Sequence, residues 1–212
     1  MKAKRLFHIS CSRQRCVLRP VLAALVFILF ACPLSAQFMA QRVNLAYLSQ
    51  RADVIIQGQV KKVSQEPMPG YPNIPTIAVT IAIDQSMRGT TEKIYTFREV
   101  LIGWRSTPVK KMYEVGQHLF LFLPAPSQYG LSSPIGLGQG RFRVSQDSAG
   151  QTTVMNENSN AGLFRNVDMV AHNAGRPLTA NQRRLAATER GPVALDEFVS
   201  LVKSLTTLPR IR

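Results

Sequence analysis

The sequence predicts a mainly β protein, an antiparallel β-barrel with a C-terminal amphipathic helix. Three observations carry this reading. Residues 76–84, Thr-Ile-Ala-Val-Thr-Ile-Ala-Ile-Asp, alternate with period two, placing Ile77, Val79, Ile81 and Ile83 on one face of a long strand. Residues 118–123, His-Leu-Phe-Leu-Phe-Leu, form a short apolar run bounded by turn signals, as in a strand covered on both faces. Near the end, Leu195, Phe198, Val199, Val202 and Leu205 recur at helical spacing.

Taken in order, the chain begins with an export signature. Lys2, Lys4, Arg5, Arg13, Arg15 and Arg19 precede an unbroken apolar run from Val21 to Cys32, which Pro33-Leu-Ser-Ala36 closes. A basic stretch, a short apolar stretch and a small-residue exit are the parts of a secretory signal peptide. Twelve apolar residues fall short of the ~20 that a spanning helix needs. Cleavage after Ala36 would start the mature chain at Gln37, in the periplasm or medium. Two other fates compete: acylation at Cys32, since Leu29-Phe-Ala-Cys32 loosely resembles a lipobox, and retention as an uncleaved anchor. The expected division is a signal at 1–36, a barrel domain at 37–156, a mobile connector at 157–191, and a helix and tail at 192–212.

Removing the signal changes the electrostatics. The whole chain carries 26 Lys+Arg against 12 Asp+Glu, a formal charge of +14. Six basic and no acidic residues lie in 1–36, leaving 20 against 12, or +8. The remaining basic residues are scattered and not interleaved with aromatics, so specific nucleic-acid binding is not expected. A scattered basic surface suits no more than weak contact with anionic membrane or polysaccharide. Cys11, Cys16 and Cys32 all lie in the signal. A mature chain without cysteine excludes disulfide scaffolding and thiol chemistry, and its stability must come from the core.

Within the mature part, residues 43–50 suit a short leading helix. Residues 53–63 are rich in β-branched side chains and read as a strand, with Gly58 marking a bulge or bend. Pro67, Pro69, Pro72 and Pro75 turn 65–75 into an expected exposed loop, because each proline lacks a backbone donor. A strand is predicted at 93–98 and a variable stretch holding Trp104 at 100–111. Residues 141–144 and 151–155 should pair across the turn at 147–150. The asparagine-rich stretch 156–173 and the basic stretch 175–191 show little pattern, which motivates the connector, with one helical turn near 183–188. In the last helix Asp196 is placed to cap or to favour the N-terminal dipole, and Asp196-Glu197 need no catalytic explanation.

Chemistry-bearing motifs are sparse. His118 and His172 are isolated, without a second ligand at helical spacing. Ser132 and Ser133 lie outside a nucleophile elbow. Gly136-Leu-Gly-Gln-Gly140 resembles part of a phosphate loop but lacks the following lysine and helix, and reads as a tight turn. Asp84, Glu92, Glu99 and Glu114 show no pairing suited to acid–base work. No catalytic, cofactor-binding or metal residue and no cofactor is assigned, and the chain is expected not to be an enzyme.

Three segments occur in a telling order: Ala52-Asp-Val-Ile-Ile-Gln-Gly-Gln-Val-Lys-Lys-Val63, then Ile83-Asp-Gln-Ser-Met-Arg-Gly89, then Tyr113-Glu-Val-Gly-Gln-His-Leu-Phe-Leu-Phe-Leu123. Together they resemble the pattern ADVVxxGxV…VxxVxKG…xxGxxxLxFL of netrin-like domains, among them tissue inhibitors of metalloproteinases, over residues 52–123. The same order is familiar in exported bacterial proteins of unassigned function. The resemblance implies an OB-like barrel of five or six strands. It does not transfer protease inhibition, because the inhibitors chelate the protease metal through an N-terminal cysteine and this mature chain has none. The expected function is therefore an exported binding or envelope-associated module whose partner is a protein or envelope component. The competing classes are an extracytoplasmic hydrolase using Ser132 or Ser133 and a netrin-like inhibitor of a secreted protease.

Overall fold

A computed structural model describes residues 42–101 and 112–211. The expected signal at 1–36 and the stretch around Trp104 lie outside the described residues. Seven antiparallel strands form one sheet: β1 (Val54–Met68), β2 (Tyr71–Arg88), β3 (Ile94–Val100), β4 (His118–Leu123), β5 (Arg141–Gln146), β6 (Thr152–Asn156) and β7 (Val193–Ala194). Among the described residues four helices accompany it: α1 (Leu45–Arg51), α2 (Val167–Asn173), α3 (Ala180–Ala186) and α4 (Leu195–Leu205). None of the helices among the described residues is long and apolar enough to cross a membrane.

The sheet runs β3-β2-β1-β4-β5-β6-β7 and is not closed into a barrel. This corrects the predicted architecture. Strand periodicity reports which face is buried, but it carries no information on whether the two end strands meet. What takes the place of closure is curvature. The β1–β2 register shifts between Ile55 and Ile56, between Gln57 and Gly58, and between Val60 and Lys62. Such irregularities bend a strand and increase its twist. At Gly58 the close approach is explicit, since a Cβ there would sit 2.1 Å from the Ala82 carbonyl oxygen. The bend brings Phe97 and Tyr113 edge-to-face at 5.6 Å, over a core that includes Ile56, Val60, Ile77, Val79, Ile81, Leu119 and Leu121. Side chains close the concave side without a continuous ladder.

The opposite face carries a second core. Period two on β4 sends Leu119, Leu121 and Leu123 to the concave side, and Phe120 and Phe122 to the helical side. There Phe120 and Phe142 each lie 5.1 Å from the ring of Phe198 on α4. Leu201, Val202 and Leu205 are buried in the same core, while Leu195 and Val199 pack at its edge. Residue Asp196 does not cap this helix: its N-cap is Ala194, with no side-chain bond. The acidic residues still lie in the first turn, where the dipole favours them, and Glu197 pairs with Arg184 at 2.8 Å.

Two further expectations are corrected. Residues 65–75 are not a loop: β1 and β2 continue to a Pro67↔Pro75 pair and turn at Pro69-Gly70. The prolines fit because, among the described residues, this end lies beyond the pairs of β1 with β4 and of β2 with β3, and Pro75 meets Leu101 only through its carbonyl, as acceptor. Residues 157–191 are not a connector either. Leu163, Phe164, Val167, Ala171, Leu178 and Leu185 join the helical core. Asparagine side chains hold the turn that leads there. Asn156 and Asn160 each accept the other's backbone N–H at 2.9 Å, and Asn160 Nδ2 donates to the carbonyls of Val154 (3.1 Å) and Gly191 (2.8 Å). Helix α3 starts at a capping box formed by Thr179 and Gln182.

One arginine fastens the helices to the sheet. Arg88, at the end of β2, donates through Nη1 to the carbonyls of Ser49 (2.5 Å) and Ala52 (3.0 Å) and through Nη2 to that of Thr206 (2.6 Å). These carbonyls belong to the C-terminal ends of α1 and α4, where orphan acceptors and the negative dipole end favour a cation.

Candidate functional site

The principal polar anomaly lies on the concave side, where β5 carries the sheet past the curled core. Arg141 and Arg143 have the parity of that face, opposite Leu121 and Leu119 of β4. Arg141 is only 7% exposed, although it is a permanent cation. Its guanidinium carbon lies 4.7 Å from the centre of the Tyr113 ring, and its Nη2 pairs with Glu157 just beyond β6. A buried guanidinium needs such partners, because an uncompensated charge in the interior is costly.

Behind Arg141 sits a carboxyl. Glu99 of β3 is 5% exposed, and its carboxyl lies beside the Tyr113 hydroxyl and Ser133. Burial pushes the Glu99 carboxyl above its ordinary range, against the opposing pull of the Arg141 charge. Burial likewise pushes the Tyr113 phenol up, with the Glu99 charge acting in the same direction. In front of Arg141 opens a cleft of about 260 Å³, lined by Gln117, Leu119, Arg143, Met155, Asn156 and Glu157, among others. Arg143 is exposed and makes no ion pair among the described residues. The opening thus presents one open and one shared guanidinium beside an apolar wall.

The residues singled out in the sequence fall elsewhere. The Ser132 hydroxyl is buried and donates to the Pro124 carbonyl at 2.8 Å, while its backbone N–H meets the Arg98 carbonyl on β3. Ser133 lies beside Glu99. His118 Nδ1 stands 3.4 Å from Asp84 Oδ2, with both side chains about half exposed, and His172 sits in the last turn of α2. In the glycine-rich turn the N–H groups of Gly138, Gln139 and Gly140 point to the carbonyls of Pro134, Gly136 and Ile135. Those donors are turned inward and do not form an anion-binding nest. Among the described residues no cluster of three His, Cys, Asp or Glu side chains could hold a metal ion.

Sequence reasoning missed the Glu99–Tyr113–Arg141–Glu157 grouping, whose members come from four separate segments. One signal was available: Arg141 and Arg143 take one parity of β5, while Phe142 takes the other. Comparison with protein-family models, curated proteins and solved structures finds no match.

Proposed function

We propose that this chain is an exported, non-enzymatic binding module of the OB-like, netrin-like kind, which engages a protein or envelope component through the cleft in front of β5. The observation that carries the reading is the cleft itself: a buried Arg141 held in place from behind, with Arg143 open beside it. One fixed and one open guanidinium beside an apolar wall suit recognition, since they orient an anionic group while the wall excludes water. The excess of basic residues adds a weak, unspecific attraction to anionic polysaccharide or membrane.

The OB-like identity is supported by the strand order β3-β2-β1-β4-β5, which is that of a five-stranded OB barrel opened between β3 and β5. It is also supported by the positions that carry the resemblance. Gly58 permits the bend of β1, and Arg88 ties α1 and α4 to β2. At Gly89 (φ +90°) a Cβ would lie 2.2 Å from the Asp53 carbonyl oxygen. Export rests on the basic, apolar and small-residue pattern of residues 1–36.

The test is capture from envelope and medium fractions with wild-type protein and with Arg143→Glu, alongside N-terminal sequencing of the exported form. Wild-type capture of a defined partner, lost in the variant, is the expected result. Capture that is indifferent to Arg143→Glu refutes the cleft as the binding surface, and an exported form that retains Met1 refutes cleavage.

A further inference from the structure

We propose that the cleft in front of β5 is a carboxylate-binding site in which Glu157 is the resident occupant, displaced from Arg141 by the carboxylate of the ligand. The inference rests on the cleft being the binding surface and specifies what it takes.

Three observations lead there. First, the two ends of the Arg141–Glu157 pair differ in setting: the arginine side chain is 8% exposed and the glutamate 59%. The cation is built into the fold, whereas its anion reaches in from the surface and can leave without unpacking anything. Second, the centre of the Tyr113 ring lies 4.7 Å from the guanidinium carbon and the buried Glu99 carboxyl is close enough to feel its charge, while the cleft opens onto Arg141 and offers a replacement anion a way in. Third, Arg143 lies two residues along the same strand face, lines the same cleft and has no ion-pair partner among the described residues. An incoming carboxylate would exchange one Glu157 contact for two guanidinium neighbours. The apolar wall of Leu119 and Met155 accommodates the carbon chain attached to it.

Since Arg141 cannot be left unpaired at this depth, Glu157 and ligand compete for one position. Competition of this kind lowers the apparent affinity by the fraction of molecules in which the position is already filled. Removing the internal competitor should therefore tighten binding. A chain end and an acidic side chain present the same carboxylate, and the chemistry at Arg141 is the same for both.

The experiment titrates the purified protein with butyrate, using butyramide and sodium chloride at matched ionic strength as controls. It is followed by the Nε–Hε signals of Arg141 and Arg143 in NMR spectra and by thermal melting. Glu157→Gln is expected to bind butyrate about tenfold more tightly than wild type, and butyrate should restore melting temperature that the substitution removes. Arg143→Gln should weaken binding in the Glu157→Gln background. Both positions are exposed, and the wild-type titration gives a reading even if a variant is poorly folded. Equal affinity in wild type and Glu157→Gln, or the same response to butyramide, would overturn the proposal.

A tripeptide with a free C-terminal carboxylate and no acidic side chain is then compared with an amidated tripeptide carrying one glutamate. Whichever binds identifies the source of the carboxylate, and binding by neither would also overturn the proposal. If butyrate binds as expected while partner capture ignores Arg143→Glu, the carboxylate site stands and the partner surface lies elsewhere.

Discussion

Replacing Arg88 with methionine keeps much of the side-chain length and removes the guanidinium that joins β2 to the ends of α1 and α4. Three carbonyls lose the Arg88 donor: Ser49, Ala52 and Thr206, of which Ala52 keeps a longer bond from Arg210 Nη2 at 3.4 Å. Hydrogen bonds from a charged group contribute about 1.5–3 kcal/mol each. Full loss of all three would approach about 9 kcal/mol on that scale, but carbonyls at helix ends recover part of it from water. Burial of Arg88 itself also costs the native state something, since burial lowers its proton affinity, with the neighbouring Arg210 charge acting the same way. A net destabilisation of about 3–5 kcal/mol is expected, which is in the large-effect tail for single substitutions. Arg88→Lys should recover only part of this, because an ammonium keeps the charge and loses the planar fork that serves both helices. Urea unfolding followed by circular dichroism and tryptophan-independent far-ultraviolet signal measures both variants. A loss for Arg88→Met below about 0.5 kcal/mol, the range of inert surface changes, or an Arg88→Lys variant as stable as wild type, would refute the fastening role.

Asn160→Ala should destabilise by about 2–4 kcal/mol, since it leaves the buried carbonyl of Val154, the half-buried carbonyl of Gly191 and the Asn156 N–H without their side-chain partner; equilibrium unfolding reads the loss. Glu99→Gln should raise stability at neutral pH, because the folded state holds this carboxyl above its ordinary value. The native protein is therefore penalised once pH rises through the folded pKa, and the benefit of the substitution should vanish below the ordinary value of 4.5. Melting temperatures of both proteins across pH 3.5–8 (roughly the window in which linkage of a raised carboxyl acts) check the sign, and a benefit independent of pH would point to packing instead.

How far the sequence discloses this molecule depends on whether the relevant physics is local. The alternation in β2 and β4 is a local property, and the burial of Ile77, Val79 and Ile81 against Leu119 and Leu121 follows from it. The pairing of β5 with β6 across the Asp147 turn is equally local, as the Asp147 carboxylate accepts the N–H groups of Ala149 and Gln151. Openness of the sheet is not local, since it depends on where β3 and β5 end up after the bends of β1. The helical layer at 157–191 was hidden for another reason. Its apolar residues are few and widely spaced, and its order comes from side-chain amides that look like loop composition until Asn156 and Asn160 face each other. Thr179 and Gln182 did carry a readable helix start, at capping-box spacing.

The candidate site shows the same division more sharply. The segments that carry the netrin-like resemblance place Gly58, Arg88 and Gly89 at points of close backbone approach or helix fastening, which are demands of the architecture. Tyr113, which opens the third segment, packs against Arg141, and Gln117 and Leu119 of that segment line the cleft, but Arg141, Arg143, Glu99 and Glu157 all lie outside those segments. Positions set by backbone geometry carry the demands of the architecture, so a resemblance in such segments speaks to fold and is silent about the partner. For this chain the proposed binding chemistry rests on the parity of two arginines on β5 and on one exposed glutamate that keeps the deeper of them paired.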